Sequence, residues 1–305
     1  MIDLTNPIFH DDDAARAHLE EQRWPNGPVC PHCGEHHAEQ ITKLEGQKHR
    51  PGLYQCNSCR EQFSVTVGTV FERSKVPLAK WVLATHLMAA SKKGISAKQI
   101  ERMLGVTYKT AWFMMHRIRE AMGVSADKDG PIGGEGKIVE SDETYVGGKA
   151  KNAKKGKPIP KKHAVVALIE RDGEMRVRHV PDVTAKTVRK TLVTQVSRKS
   201  HLMTDDSLLY YWLGREFAAH DSVNHSKDEY VRGKAHCNTA ESYFALLKRG
   251  ITGSFHSVSE AHLQRYADEF AFRWNWRKED DATRANAIIK AADGKRLTYR
   301  RIDQA

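Results

Sequence analysis

VESDETYVGG, residues 139–148, reads as a strand that carries a carboxylate, Asp142, and stops at a glycine pair. Two more acidic segments follow. HLMTDDSLLY (201–210) is a short strand ending at its acids, and NTAESYFALLKRG (238–250) is a helix with Glu241 near its start. Each places a carboxylate where a regular element can present it to a shared site. Two-metal phosphoryl transfer needs that arrangement, because carboxylate oxygens must hold divalent cations roughly 3.5–4 Å apart. Read singly, each acid is a surface acid, and Glu143 and Asp228 are read that way. The ordered set, with a lysine, points to chemistry. Glu241 and Lys248 are seven apart on one helix and share a face, so a carboxylate and a cation stand together there. Asn238 is the N-cap candidate of that helix, while Tyr243, Phe244 and Leu247 point to the core.

Around these segments the pattern is mixed α/β. KAKNAKKGKPIPKK holds seven lysines between Lys149 and Lys162 and reads as a solvated loop in reach of phosphate. HAVVALIERDGEMRVRHV is a β-hairpin turning at Asp172-Gly173, and DVTAKTVRKTLVTQV is an amphipathic helix. The late helix VSEAHLQRYADEFAFRWNW carries a capping-box pattern from Ser257 to Glu260.

Upstream, four of the five cysteines form Cys30-x2-Cys33 and Cys56-x2-Cys59 with a 22-residue gap. The N-terminus is acidic and polar, unlike a secretory signal, so disulfides are not expected and the chain should stay where it is made. Two CxxC knuckles build a closed, non-catalytic thiolate site for structural Zn2+; four buried or redox thiols are the alternative. Tyr54 and Phe63 are expected beside the second knuckle, and Cys237 is read as an ordinary small residue. A short helix over 10–24 precedes the ribbon and an apolar helix begins after Pro77. ISAKQIERMLGVTYKTAWFMMHRIREAMG then reads as helix, turn at Gly105, helix, with Ser96 and Thr107 as caps. Ile100, Met103, Leu104, Ala111, Met114, Met115 and Ile118 are expected to face inward, and Tyr108, Lys109, Thr110, His116, Arg117 and Arg119 to meet phosphates or base edges. An ordinary helical hairpin is the plainer alternative.

The 305 residues allow two or three modules, and 49 Lys and Arg against 38 Asp and Glu give a formal +11. That excess favours a polyanion, nucleic acid ahead of an anionic membrane, and no apolar run is long enough to span a bilayer.

The order CPHCG…YQCNSC, helix-turn-helix, DETYVGGK, TDDSLLY and NTAESYFALLKRG resembles the insertion-sequence transposases of the IS1595 group, ISXO2-like branch. The resemblance runs from about residue 20 to 277 and is most specific in DETYVGGK, VNHSKDEYVRGKAHCNTAE and LLKRGITGSFHSVSEAHLQRYADEFAFRWN. It implies a multidomain α/β protein: a helical segment (1–24), zinc ribbon (25–73), helix-turn-helix region (74–124), linker (125–137), RNase H-like DDE domain with a mixed sheet (138–290) and tail (291–305). It also implies that Asp142, Asp205 and Glu241 bind two Mg2+ ions, replaceable by Mn2+, with Lys248 the associated basic residue. Asp206 stays open against Asp205, and Asn238 against Glu241. Lys149, Lys151 and Arg249 would hold DNA backbone. The implied reaction is cleavage at transposon ends, then attack of the freed 3′-OH on target DNA, by a homodimer or larger assembly in the bacterial cytoplasm at the nucleoid. A non-catalytic DNA-binding regulator and a nuclease that cuts without joining are the competing classes.

Overall fold

The computed structural model describes residues 3–124, 130–148, 161–223 and 237–298. Contacts divide the chain into two compact units, one running to Met122 and resuming at Lys278, the other Gly123–Arg277.

In the first unit, α1 (Asp12–Arg23) starts at Asp11, whose carboxylate accepts from the Ala14 N–H, and buries Ala15 and Leu19. A three-stranded antiparallel sheet follows: β1 (Ile41–Leu44), β2 (Leu53–Cys56) and β3 (Gln62–Phe63). Trp24 meets Tyr54 and Phe63 edge-on, with centroids 5.5 and 5.8 Å away, and those two rings stack on each other. This small aromatic core supports the second knuckle, as expected. The largely buried α2 (Leu78–Ala90) leads to α3 (Ala97–Leu104) and α4 (Tyr108–Met122). Ser96 caps α3 through the Gln99 N–H and Thr107 accepts from Thr110. Gly105 closes α3 at φ 60°, the left-handed region where a side chain is strained. Met103 faces outward, 48% exposed, because the apolar stripe of this two-turn helix is carried by Ile100 and Leu104.

The second unit is built on a five-stranded sheet. It comprises β4 (Ile138–Val146), β5 (His163–Glu170), β6 (Met175–Val180), β7 (His201–Asp205) and β8 (Ala219–Val223), in the order β6-β5-β4-β7-β8. The first three strands form an antiparallel meander, while β7 joins β4 in parallel and β8 joins β7 in parallel. Renumbered within the unit this is 3-2-1-4-5, the mixed RNase H-like sheet. Helix α5 (Ala185–Gln195) carries the chain across from β6 to β7, and the single turn α6 (Tyr210–Leu213) lies between β7 and β8. Alternation along β4 splits the core. Val146, Val165 and Val177 pack under α7 (Asn238–Gly250) and α8 (Glu260–Asn275), whereas Val139, Val166 and Leu168 pack on Val188 and Leu192 of α5. Gly133, at φ +84°, lets the chain enter the sheet against Ser200, where a Cβ would collide with that side chain.

The last helix, α9 (Asp281–Lys290), belongs by its contacts to the first unit, and the second unit ends at Arg277. Ala285, Ile288 and Ile289 give α9 an apolar face, and it packs against α2. Arg23 holds Asp293 at 2.6 Å, and the Gly294 N–H donates to the Gly68 carbonyl.

Candidate active site

The sheet order brings the acids together. β4 is where the antiparallel half meets the parallel half, and open α/β sheets bind ligands at the carboxyl ends of strands beside such a switch. Register pairs Glu140 with Met203, so two residues further on Asp142 stands beside Asp205, the last residue of β7. Both lie on the sheet face that α7 covers, where Met203 and Cys237 pack together.

Asp142 is half-buried, and its carboxyl is pushed up to about 7. Burial is the main cause, and the charges of Glu143, Asp205 and Glu241 add to it. The Glu143 N–H, donating to Asp142 Oδ1 at 2.7 Å, opposes the rise. The same field, with burial foremost, drives the Cys237 thiol far up, through Asp142, Glu140 and Asp205. Cys237 is thus a fully buried neighbour of the acids and not a bystander. Asp206 lies beyond the end of β7 and is exposed.

Glu143, read from sequence as a surface acid, is half-buried on the opposite face. It accepts a 2.6 Å hydrogen bond from the Tyr210 hydroxyl. Burial, opposed by that hydrogen bond and reinforced by Asp205, raises its pKa. Asp228 lies outside the described residues, as do Lys149 and Lys151.

Asn238 is not the cap of α7. Cys237 occupies the N-cap position without a side-chain bond, and Asn238 is the exposed first residue of the helix. The capping function comes from another element. Glu140, fully buried on β4, accepts from the Thr239 N–H at 3.2 Å and the Thr239 hydroxyl at 3.1 Å, and from Arg171 Nε at 2.8 Å. A carboxylate at a helix N-terminus is favoured by the helix dipole, and here it also fixes where Glu241, two residues beyond Thr239, stands. The sequence signal was available: Glu140 occupies an inward strand position that ordinarily takes an apolar residue. Ser257 likewise makes no capping box, because α8 begins after Ser259 and Glu260 is its first residue.

Glu241 is exposed on the first turn of α7, and Lys248 and Arg249 are exposed at its other end, about 10 Å along the axis for a seven-residue separation. Arg249 Nε bonds back to the Ala245 carbonyl. Beside Asp205 opens a cavity of about 410 Å3 lined by Ser207, Tyr211, Arg215 and His220. Its rim is an exposed ridge: Leu208 (89%), Tyr211 (56%) and Trp212 (68%), with Arg215 over both rings at 5.0 and 4.4 Å. Sequence reading missed this ridge, although three consecutive aromatics, Tyr210, Tyr211 and Trp212, follow an acid pair there.

In the first unit, the Cys30–Cys59 and Cys33–Cys56 sulfurs are each 3.7 Å apart, and one atom from each of the four lies within 4.8 Å of the others. Zn–S bonds of about 2.3 Å at tetrahedral angles put sulfurs about 3.8 Å apart, so the tetrad fits zinc without rearrangement. A backbone hydrogen bond from Cys59, stronger than the opposing burial, brings Cys56 down to about 7. At Cys33 and Cys59 the backbone hydrogen bonds are outweighed by burial and hydrogen bonds from other sulfurs, which raise both, so a metal would have to draw those protons off.

The expected contact face of α4 is narrower than the sequence implied. Tyr108, Lys109 and Thr110 sit at its start with Tyr108 and Lys109 exposed, but His116, Arg117 and Arg119 are buried. Arg117 donates to the Glu72 carbonyl at 2.5 Å and lies over the rings of Trp81 and Phe113, and His116 packs at a tilt against Trp112, with centroids 4.1 Å apart. Their aliphatic and aromatic bodies fill the packed side of the helix, and its exposed positions at the start are Tyr108 and Lys109.

Residues 133–275 match the model of the ISXO2-like transposase domain, and residues 10–62 that of the transposase zinc-ribbon domain. The chain thus carries an ISXO2-like transposase domain behind an IS1595-type transposase zinc ribbon. It is also similar to an uncharacterized protein in transposable element ISH50 of Halobacterium salinarum, with 29% identity over 272 residues covering 84% of this chain and 88% of the relative. Two solved structures are similar at a TM-score of 0.25. One is a pre-cleavage Mos1 transpososome (13% identity, 71% of this chain, 80% of that one). The other is the Mos1 mariner paired end complex with Mn (12%, 67% and 78%). At that score the likeness carries no weight for fold or function. Among the described residues no helix is long and apolar enough to cross a membrane.

Proposed function

We propose that this protein is an active DNA transposase that cuts at the ends of its element and joins them to target DNA, with Asp142, Asp205 and Glu241 as its catalytic carboxylates. The observation that carries the reading is Asp142, whose carboxyl is pushed up to about 7, first by burial and then by the negative charge of Glu143, Asp205 and Glu241. Excess carboxylate charge around a half-buried site suits divalent cations, and a set of hard oxygens suits Mg2+ or Mn2+ over softer metals. Asp142, Asp205 and Glu241 would hold two such ions, which would supply activation of the attacking oxygen and stabilisation of the leaving one.

The chain's own residues do the rest. Glu140 holds the start of α7 against β4 and so fixes Glu241 relative to Asp142. Lys248, on the Glu241 face, meets a phosphate of the DNA strand being cut. The Leu208–Trp212 ridge with Arg215 receives a base beside the scissile phosphate, since aromatic faces take any base and Arg215 adds charge. Tyr108, Lys109 and Thr110 approach the terminal inverted repeats, with Lys149, Lys151 and Arg249 on backbone phosphates, and two copies of the chain pair the two ends.

The test is a strand-transfer reaction on DNA carrying the element's own ends, with Mg2+ and with Mn2+. Joined product that disappears in Asp142→Ala supports the proposal. Cleavage without joining supports a nuclease, and binding without cleavage a regulator.

A further inference from the structure

Away from the acids, the far edge of the same sheet holds a second set of metal-type donors. His163 begins β5 and His179 lies on β6 opposite Val165, so the two imidazoles are diagonal neighbours on the face that α8 covers. Their ring centroids are 6.1 Å apart. Glu260, the first residue of α8, reaches between them: Oε2 lies 3.5 Å from His163 Nδ1 and Oε1 lies 3.9 Å from His179 Nε2. Lys161 Nζ lies 3.4 Å from Glu260 Oε1.

The two histidine–Glu260 separations are too long for good hydrogen bonds, whose N···O distances run to about 3.2 Å. Both facing nitrogens are buried atoms with no hydrogen-bond partner, an arrangement that costs free energy if nothing fills it. Ligands bound at 2.0–2.1 Å in a tetrahedral site stand about 3.4 Å apart. The three donor atoms therefore need only small movements to close on one ion. Burial, ahead of the opposing Glu260 charge, lowers the His179 pKa and so favours the neutral ring that a metal takes as ligand.

We propose that His163, His179 and Glu260 form a binding site for a first-row divalent cation of the zinc class, separate from both the cysteine tetrad and the Asp142 site. Two imidazoles and one carboxylate are a borderline donor set that selects Zn2+ or its neighbours over Mg2+. The ion ties the open ends of β5 and β6 to the first turn of α8, an attachment otherwise made in part by Gln264, which bonds the His179 N–H and the Val177 carbonyl. Lys161 is the competitor, since its ammonium occupies the Glu260 carboxylate without metal and swings out to solvent when the ion enters. Three protein ligands leave a fourth position for water, so the site exchanges its ion more readily than the four-cysteine ribbon does.

The experiment is zinc stoichiometry on the full chain, dialysed against Zn2+ in excess Mg2+ so that oxygen-only sites hold magnesium. Metal per chain is read by atomic emission. His179→Ala and Glu260→Gln should each bind one zinc fewer than wild type, while Cys30→Ser combined with Cys33→Ser retains that zinc. Glu260→Gln keeps the packing, so it reports even where a histidine variant folds poorly. Cobalt adds a second readout: the ion lost in Glu260→Gln should lack the thiolate charge-transfer band that the ribbon cobalt shows. Equal zinc content in wild type and Glu260→Gln, with unchanged cobalt spectra, overturns the site.

Discussion

Asp142→Asn isolates the electrostatic cost of the candidate active site. The Asp142 carboxyl has an ordinary value of 3.8 and is pushed up to about 7 by burial and by the neighbouring carboxylates. The folded state then holds the proton more tightly than the unfolded chain does. Stability linked to this group is complete below about pH 4 and is lost as pH rises towards 7, with a span of about 4 kcal/mol in the absence of divalent cations. Asn keeps an acceptor for the Glu143 N–H and removes the charge. For a unit of this size 4 kcal/mol corresponds to about 10 °C in Tm. Scanning calorimetry in buffer whose only divalent metal is protein-bound zinc should place the Gly123–Arg277 transition about 10 °C higher in Asp142→Asn than in wild type at pH 8. The two should converge as the pH approaches 4. A residual slope should survive in the variant, because Glu143 is raised as well. Millimolar Mg2+ should lift wild type and leave the variant almost unmoved. If the two proteins melt together at pH 8 without Mg2+, the carboxylate is not destabilised by its neighbours, and the argument for a cation site there fails.

Other expectations are as direct. Glu140→Ala strands Arg171 and the Thr239 N–H, and should destabilise the unit by about 3–5 kcal/mol, with amide exchange accelerating first at the start of α7. Trp212→Ala removes an exposed ring and should leave Tm within about 1 °C while weakening binding of single-stranded DNA by about 1–3 kcal/mol, measured by fluorescence anisotropy. Lys109→Ala should reduce the salt dependence of DNA binding by about one phosphate contact. Arg117→Ala should instead lower Tm, because its guanidinium is built into the core beside Trp81. Cys56→Ser should release the ribbon zinc, seen in a colorimetric zinc assay.

Much of this was legible in the sequence where local chemistry decides the outcome. The cysteine spacing, Gly105, Ser96 and the strand ending at Asp205 each signal their own structure within a few residues. The helix starting at Asn238 was legible too, but its cap was not, since the capping carboxylate comes from Glu140, about a hundred residues earlier in the chain. Charged residues misled where their stems pack: Arg117 and Arg119 fit the helical pattern of a contact face, yet burial of their bodies by neighbours distant in sequence overrides it. Glu143 was misread for a related reason, because the Tyr210 hydroxyl that receives it inside the fold lies on another element.

The return of α9 to the first unit bears on how the protein is made. Synthesis runs from the N-terminus, so α1 to α4 leave the ribosome before the sheet, yet their partner helix emerges after it. The sheet unit, continuous from Gly123 to Arg277, is complete before its upstream neighbour can be. Until Arg23 meets Asp293 and Lys295 reaches the Ala121 carbonyl, the first unit of the nascent chain is unfinished. A product released early, short of residue 278, would carry the acids beside an incomplete first unit.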